Sequence, residues 1–538
     1  MTSRRAQPWF ADALLGALFA CVIACLYACE GCRKPPPPVE SPAADARGDV
    51  GGDVGTPTVR LYLLSNVAGA LEPCGCSKDQ LGGMDHMGAF VRSESAKAPN
   101  AILLSAGPLF FMERELATER ADQDKSKAEI IADTARELGL VAAALGENDW
   151  VGGAPFAQAL AQRAGVPLVE QTSHLLKVVN SVSLGIVVVG PKLTEDEAVS
   201  RVRTEIDAVK KEGAHVVIAL AATGRGEGKR LADRFPELAL VLIGKRSIAG
   251  ALNDTAPPAE RIADRVLVIE SANHLQTVGV LDLFLRDGQY TFADATGLER
   301  AQKRADLTRR MDDLRVTIAN AKKDPKARPS DIAAREQDRE RLRRERDALD
   351  VANPPQKGSF FRFTMQEVRE KMGSDARTRE AMLVYYKKVN DANKATFANR
   401  LPRPAEIGQP SYIGALACAS CHEPAKKFWD TTTHSHAYQT LSSQFKEFNL
   451  ECVNCHVTGY EMPGGSTVTH VEPLKDVQCE VCHGPGSKHR SSPTDRTAIE
   501  RSPKASVCLA CHHPPHVEKF DVESKMSLIL GPGHGRGK

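Results

Sequence analysis

The residues with most chemistry to offer are cysteines and histidines set in one pattern, Cys-x-x-Cys-His, which occurs four times. The copies are Cys418/Cys421/His422, Cys452/Cys455/His456, Cys479/Cys482/His483 and Cys508/Cys511/His512. Two thiols at this spacing add across the two vinyl groups of a haem, and the adjacent histidine reaches the iron from the same side. Zinc is the competing use of Cys-x-x-Cys pairs. A zinc ribbon needs no histidine after every pair and joins its pairs by about 15–20 residues, whereas the loops here are longer. The pattern predicts four covalently attached haems c, with His422, His456, His483 and His512 as proximal iron ligands.

Second axial ligands are available in the same region. Of 14 cysteines and 15 histidines, eight and eleven lie after residue 410. Beyond the motif histidines, His434, His436, His489, His516 and His534 are candidate distal ligands; His513 is too close to His512 to reach the same iron. Bis-histidine haems are low-spin and of low potential, which favours electron transfer over substrate binding at iron. From Ser411 to Lys538 aliphatic residues are sparse and no long regular element is expected, so the porphyrins must supply the missing core. Four haems in so short a segment lie close together, as a conduit requires.

At several strings this region resembles the multihaem cytochrome c family of the c-552/4 type. They are Tyr412-Ile413-Gly414, Trp429 with Thr433-His434-Ser435-His436-Ala437, Val457-Thr458-Gly459-Tyr460, and Val477-Gln478-Cys479-Glu480-Val481-Cys482-His483-Gly484-Pro485-Gly486 with His489. The resemblance implies a tetrahaem electron-transfer module and puts His434, His436 and His489 at distal positions. Relatives include haem enzymes acting on nitrogen oxides, which need one iron with an open site.

The elements that position this module begin at the N-terminus. Arg4 and Arg5 precede a stretch without charge from Ala13 to Cys29, short for a membrane span of about 20 residues and ending in Leu26-Tyr27-Ala28-Cys29. It reads as a signal sequence over 1–33, with Cys29 the candidate lipidated residue of a bacterial lipoprotein, and places the chain in the cell envelope. The Pro-, Gly- and Ala-rich run 34–57 reads as an extended tether.

Over 58–297 short apolar runs alternate with amphipathic stretches, the pattern of a layered α/β domain. Strands are expected at Arg60–Ser65, Ala101–Ser105, Val141–Leu145, Gly185–Gly190, Val216–Ala222, Leu238–Ile243, Arg265–Glu270 and Val278–Leu285, the last turning at Asp287-Gly288 into Tyr290–Phe292. Three segments resemble the calcineurin-like metallophosphoesterases of the 5′-nucleotidase family: Ser65–Pro73 with Leu81-Gly82-Gly83, Leu104-Ser105-Ala106-Gly107, and Leu145-Gly146-Glu147-Asn148-Asp149. The family's two metals need oxygen and nitrogen ligands. By that resemblance Asn66, Ala68, Pro108, Glu147 and Asn148 stand at ligand positions, and the later histidines fall near Ala222, Lys245 and Arg246. Neutral Ala and Pro and a cationic Arg cannot hold metal ions, which implies a scaffold without hydrolytic activity. Cys74-Gly-Cys76, followed by Asp85 and His86, is a candidate thiol site in the loop of the first metal. His174, His215 and His274 read as local polar contacts.

Residues 298–400 read as a helical connector. Leu307, Met311, Leu314, Ile318 and Ala321 recur at spacings of four and three. Asp324-Pro325 and Arg328-Pro329 interrupt them, so a coiled-coil hairpin continues through Leu342 and Leu349, with homo-oligomerisation as one use. A third helix is expected over Asp375–Phe397, presenting Met382, Tyr385, Val389 and Ala392.

At 538 residues the chain has room for three or four units, namely 58–297, 298–400 and 411–538 behind the anchor. A net charge of +2 provides no field for nucleic acid. The expected function is envelope-anchored tetrahaem electron transfer to redox partner proteins. The alternatives are reduction of a small nitrogen oxide at a five-coordinate haem, and an active metallophosphoesterase fused to a cytochrome.

Overall fold

The structure is a computed structural model describing residues 55–538, apart from 74–79, 96, 193–194, 251, 324–327, 348, 350–354, 356, 514–516, 518–519 and 535–538. Cys29, most of the tether, Cys74, Cys76 and His516 lie outside the described residues. Among the described residues no helix is long and apolar enough to cross a membrane.

Two six-stranded sheets face each other. The first has the order β11-β12-β10-β1-β2-β3 and comprises β1 (Val59–Ser65), β2 (Ala101–Ala106), β3 (Leu140–Ala144), β10 (Thr277–Phe284), β11 (Ala293–Asp294) and β12 (Phe360–Glu367). The second, ordered β4-β5-β6-β7-β9-β8, comprises β4 (Thr172–Val179), β5 (Val182–Val189), β6 (Val216–Ala222), β7 (Leu238–Gly244), β8 (Glu260–Ile262) and β9 (Val266–Ile269). β1, β2 and β3 run parallel, as do β5, β6, β7 and β9, with antiparallel strands at the edges. The helices of this domain are α1 (Met84–Ser95), α2 (Ala121–Glu137), α3 (Ala154–Ala164), α4 (Glu195–Lys211), α5 (Arg225–Arg234), α6 (Leu298–Ala321), α7 (Pro329–Asp347) and α8 (Ala376–Thr396).

Strand parity builds the layers, because successive side chains leave opposite faces. Leu61 and Leu63 enter the core between the sheets with Leu184, Ile186, Ile218 and Leu242. Tyr62 and Leu64 enter the outer core under α1, α2, α3 and α8, with Met87, Ile131, Leu160, Met382 and Val389. On the far face, Val187, Val189 and Ala219 meet Val202 and Ile206 of α4 and Leu231 of α5. Strands covered on both faces read as continuous apolar runs, as β6 does. Arg60 is tolerated inside β1 because Asp282 on the neighbouring β10 accepts from its guanidinium at 2.6 and 2.8 Å, and Glu94 accepts at 3.0 Å.

The sequence reading and the structure differ at the domain boundary. β12 inserts between β10 and β11, so α6 and α7 form a hairpin projecting from the sheet rather than a link between domains. Phe361 and Phe363 complete the inter-sheet core, and Phe360 stacks on Phe284 at 4.5 Å. The turn at Asp287-Gly288 forms, with φ of 55° and 62°, but β12 takes the place beside β10 expected for Tyr290–Phe292. The hairpin seam is buried within one chain at Leu307, Ile318 and Leu342. α8 buries Met382, Tyr385 and Val389 as expected, but Asn393 replaces Ala392 on the packed face. Its N-cap Asp375 accepts from Thr378 N at 3.0 Å and pairs with Arg92 at 2.7 Å.

Residues 411–538 contain only short helices, and a small apolar cluster of Tyr438, Val453, Val457 and Val471.

Candidate haem-binding site

Each Cys-x-x-Cys-His motif lies on or beside one helical turn: Ala415–Ala419, Val453–His456, Cys479–His483 and Ala505–Leu509. One turn brings residues three and four apart to the same side. In the third motif, the buried Glu480 between the two cysteines binds distant loops together. Its carboxylate accepts from Ile413 N, Gly414 N and Gly486 N at 2.7 to 3.1 Å. Gln478 adds bonds from Ala415 N and to Pro473 O and Lys475 O. The chain entering the first motif is thereby fixed to the third motif and to the Gly-Pro-Gly turn leading to His489.

The motif histidines meet other histidines across gaps. The rings of His422 and His489 lie 6.2 Å apart between centroids, inclined by 26°. His434 and His512 lie 6.2 Å apart and His483 and His534 6.3 Å apart. Two imidazoles on opposite sides of one metal ion, each bonded through nitrogen at about 2.0 Å, have centroids about 6 Å apart, so these three pairs fit a bis-histidine haem iron. Backbone carbonyls set the tautomer of two motif histidines: His483 Nδ1 lies 2.7 Å from Glu500 O and His456 Nδ1 2.6 Å from Ala437 O. A ring donating through Nδ1 presents Nε2 as the metal ligand. Phe520 stacks on His512 at 4.1 Å.

The cysteines of different motifs also meet. The Cys418 thiol lies against Cys479, Cys455 lies against Cys511, and Cys482 is near Cys508 and Cys511. The motifs therefore run through space in the order first, third, fourth, second. His436 is not paired with a motif histidine; it lines an open cavity of about 500 Å³ with Tyr438, Glu447, Lys475 and Asp476. His456 faces no second imidazole among the described residues.

The positions of the phosphoesterase metals are filled differently. Asn66, buried with φ at 52°, accepts from Lys245 N at 2.6 Å. A side chain on Gly107 would come 2.1 Å from Asn66 Oδ1, so this junction is closed by backbone contact. Asn148 is also buried; it donates to Met112 O and Ile248 O and accepts from Ile248 N, all at 3.0 to 3.1 Å. Asp149 accepts from Leu109 N, Phe110 N and Gly146 N while burial pushes its carboxyl up to about 7. Lys245 pairs with Asp254 at 2.6 Å, Arg246 with Glu227 at 3.7 Å and Glu147 with Arg114 at 3.6 Å. The donor set is a hydrogen-bonded and ion-paired latch and does not fit two metal ions. His86 Nδ1 contacts Gly373 O at 2.5 Å, His174 lies between Glu205 and Glu212, and His215 stacks on Tyr290 at 4.4 Å.

The two parts meet along residues 444–451, just before the second motif. Lys127 pairs with Glu451 at 2.8 Å and Lys446 with Glu72 at 2.5 Å. Gln123 donates to Asn449 Oδ1 and accepts from Leu450 N, both at 3.1 Å, while Asn390 and Asn393 hold Phe448 through its N–H and C=O. Sequence reasoning missed this polar seam, because isolated Gln and Asn residues carry no periodic signal.

Comparison with known proteins agrees with the cytochrome portion. Residues 417–484 match the family model for cytochrome c554 and c-prime. Cytochrome c-554 of Nitrosomonas europaea is 33% identical over 95 residues, covering 15% of this chain and 40% of that protein; the chain thus spans well under half of the curated relative it matches. The structure of that cytochrome in its reduced state aligns at 22% identity, over 22% of this chain and 79% of that one, with a TM-score of 0.19. The 5′-nucleotidase precursor of Thermus thermophilus aligns at 15% identity, over 65% of this chain and 61% of that one, with a TM-score of 0.40. Residues 417–484 belong to a cytochrome c554 domain, a c-type cytochrome module whose cofactor is covalent haem c, and they follow a metallophosphatase-like α/β domain.

Proposed function

Starting from a chain that carries a cytochrome c554 domain, we propose an envelope-anchored tetrahaem electron-transfer protein whose α/β domain is a non-hydrolytic docking scaffold. The observation that carries this is the set of three imidazole pairs, His422/His489, His434/His512 and His483/His534, at 6.2 to 6.3 Å. Haem c, when bound, supplies one-electron chemistry at each iron. The protein's own part is to hold the rings facing each other, to fix their tautomers through Ala437 O and Glu500 O, and to keep the motifs in contact from first to second. The Asn66–Lys245 and Lys245–Asp254 bonds support the scaffold reading of the α/β domain. Attachment of the anchor through Cys29, and the envelope location, belong to the same proposal and rest on the charge-free stretch before it.

The test is a pyridine haemochrome count on the full chain with low-temperature electron paramagnetic resonance of the oxidised protein. Four haems with at least three low-spin irons are expected. Fewer than three low-spin irons would sink the reading. The second motif favours one rival: if the iron at His456 is high-spin in stoichiometric amount, reduction of a small nitrogen oxide there becomes the function to assay. Chelator-sensitive hydrolysis of a nucleotide would overturn the scaffold part alone.

A further inference from the structure

The spatial order of the motifs gives the haem array two ends, and the protein treats them differently. At the second-motif end, residues 446–451 are held to the α/β domain by Glu72, Gln123, Lys127, Asn390 and Asn393. At the first-motif end, among the described residues, 415–432 and 487–505 make no hydrogen bond or ion pair with any residue before 411. Leu416 is 78% exposed there and Cys421 is exposed.

This open end is bordered by positive charge. The helix Ser487–Ser491 carries His489, which faces His422, between Lys488 and Arg490. Lys488, Arg490, Arg496, Arg501 and Lys504 are all exposed and have no ion pair among the described residues. The two acidic residues in the segment are turned to local backbone: Asp495 accepts from Thr497 N at 2.9 Å and Glu500 from Ser502 N at 2.7 Å. Nearby Lys426 and Lys427 are neutralised by Asp430 and Glu423. The result is a small apolar centre with a cationic border, which suits a small transient interface that exchanges electrons and separates.

We infer that electrons cross the protein surface at the first-motif end, through a docking face for an acidic electron-carrier protein, while the α/β domain closes the second-motif end. The inference rests on the electron-transfer reading above. The probe is flavodoxin hydroquinone, an acidic flavoprotein reductant that gives up one electron per encounter and becomes the semiquinone as one haem iron goes from ferric to ferrous. Stopped-flow reduction of the haem-loaded full chain is compared with the variant K488E/R496E/K504E and with a control, R339E/R341E/R344E, on the helical hairpin.

At low ionic strength the first variant is expected to be reduced by flavodoxin about ten-fold or more slowly than the native chain, and the control to be unchanged. The gap should close at about 1 M salt, where the Debye length is about 3 Å. Equal flavodoxin rates for all three proteins, or equal slowing by the hairpin control, would overturn the docking face. Loss of binding to phosphatidylserine vesicles by the first variant, with its flavodoxin rate intact, would reassign the patch to a lipid surface and also overturn it. Reduced methyl viologen, a small cation, separates the two readings. If it reduces the haems of every variant, a failure of the flavodoxin comparison removes only the docking face; if it reduces none, electron transfer itself fails.

Discussion

A histidine ring in this protein is defined by what lies opposite each of its nitrogens. His489 has another imidazole, His422, 6.2 Å away, and its Nδ1 is buried without a hydrogen-bond partner. Replacing His489 with Ala is expected to convert one low-spin iron to high-spin, read by electron paramagnetic resonance, while His436→Ala leaves the count unchanged. His274 shows the other fate of a buried histidine. It is fully buried with φ at 52°, its Nδ1 lies 3.0 Å from Asn253 Oδ1, and burial pushes its pKa down to about 4. Asp254 opposes that shift and Lys245 adds to it. Between about pH 6.5 and 4 the unfolded chain takes up a proton that the folded chain refuses, so this group's stability contribution is present above 6.5 and lost as the pH falls. The loss amounts to about 3 kcal/mol. His274→Asn, which suits a left-handed backbone, should remove that acid sensitivity, measured by urea unfolding followed through Trp150 fluorescence.

At the scale of elements, the seam between the α/β domain and the cytochrome module is made by the first turns of α2 and the last turns of α8. Gln123 is buried and is bonded to Asn449, Leu450 and Asn393 together. Gln123→Ala would leave buried amide groups unpaired at a cost of about 2 kcal/mol. The expected outcome is faster amide hydrogen exchange over 446–453, with the haem count unchanged; unaltered exchange would show that the ion pairs Lys127–Glu451 and Lys446–Glu72 hold the seam alone. The hairpin of α6 and α7 makes a contrasting element. It is charged on nearly all faces and buries only a narrow seam, which is why charge substitutions there serve as a control for those beside His489.

The whole molecule joins a four-layer domain, whose ligand positions have become structural bonds, to a segment that has little apolar core of its own. The join is made at one end of the motif series and leaves the other end open. That asymmetry gives the α/β domain a role in directing electron flow which its own residues, taken alone, do not suggest.

The sequence by itself determined what is local. Four Cys-x-x-Cys-His copies, the alternating runs of β1, β2, β6 and β7, and the loss of metal-binding residue types at Ala68, Pro108 and Arg246 are all written in neighbouring residues, because thioether attachment, strand periodicity and ligand identity depend on residue type and short spacing. Only the tertiary structure decided which histidine faces which, for His489 meets His422 across 67 positions and His534 meets His483 across 51. It also decided that β12 returns to the first sheet and that Glu480 ties three loops together. Those outcomes depend on loop closure and on burial shared among distant segments, and no short window of sequence contains both partners.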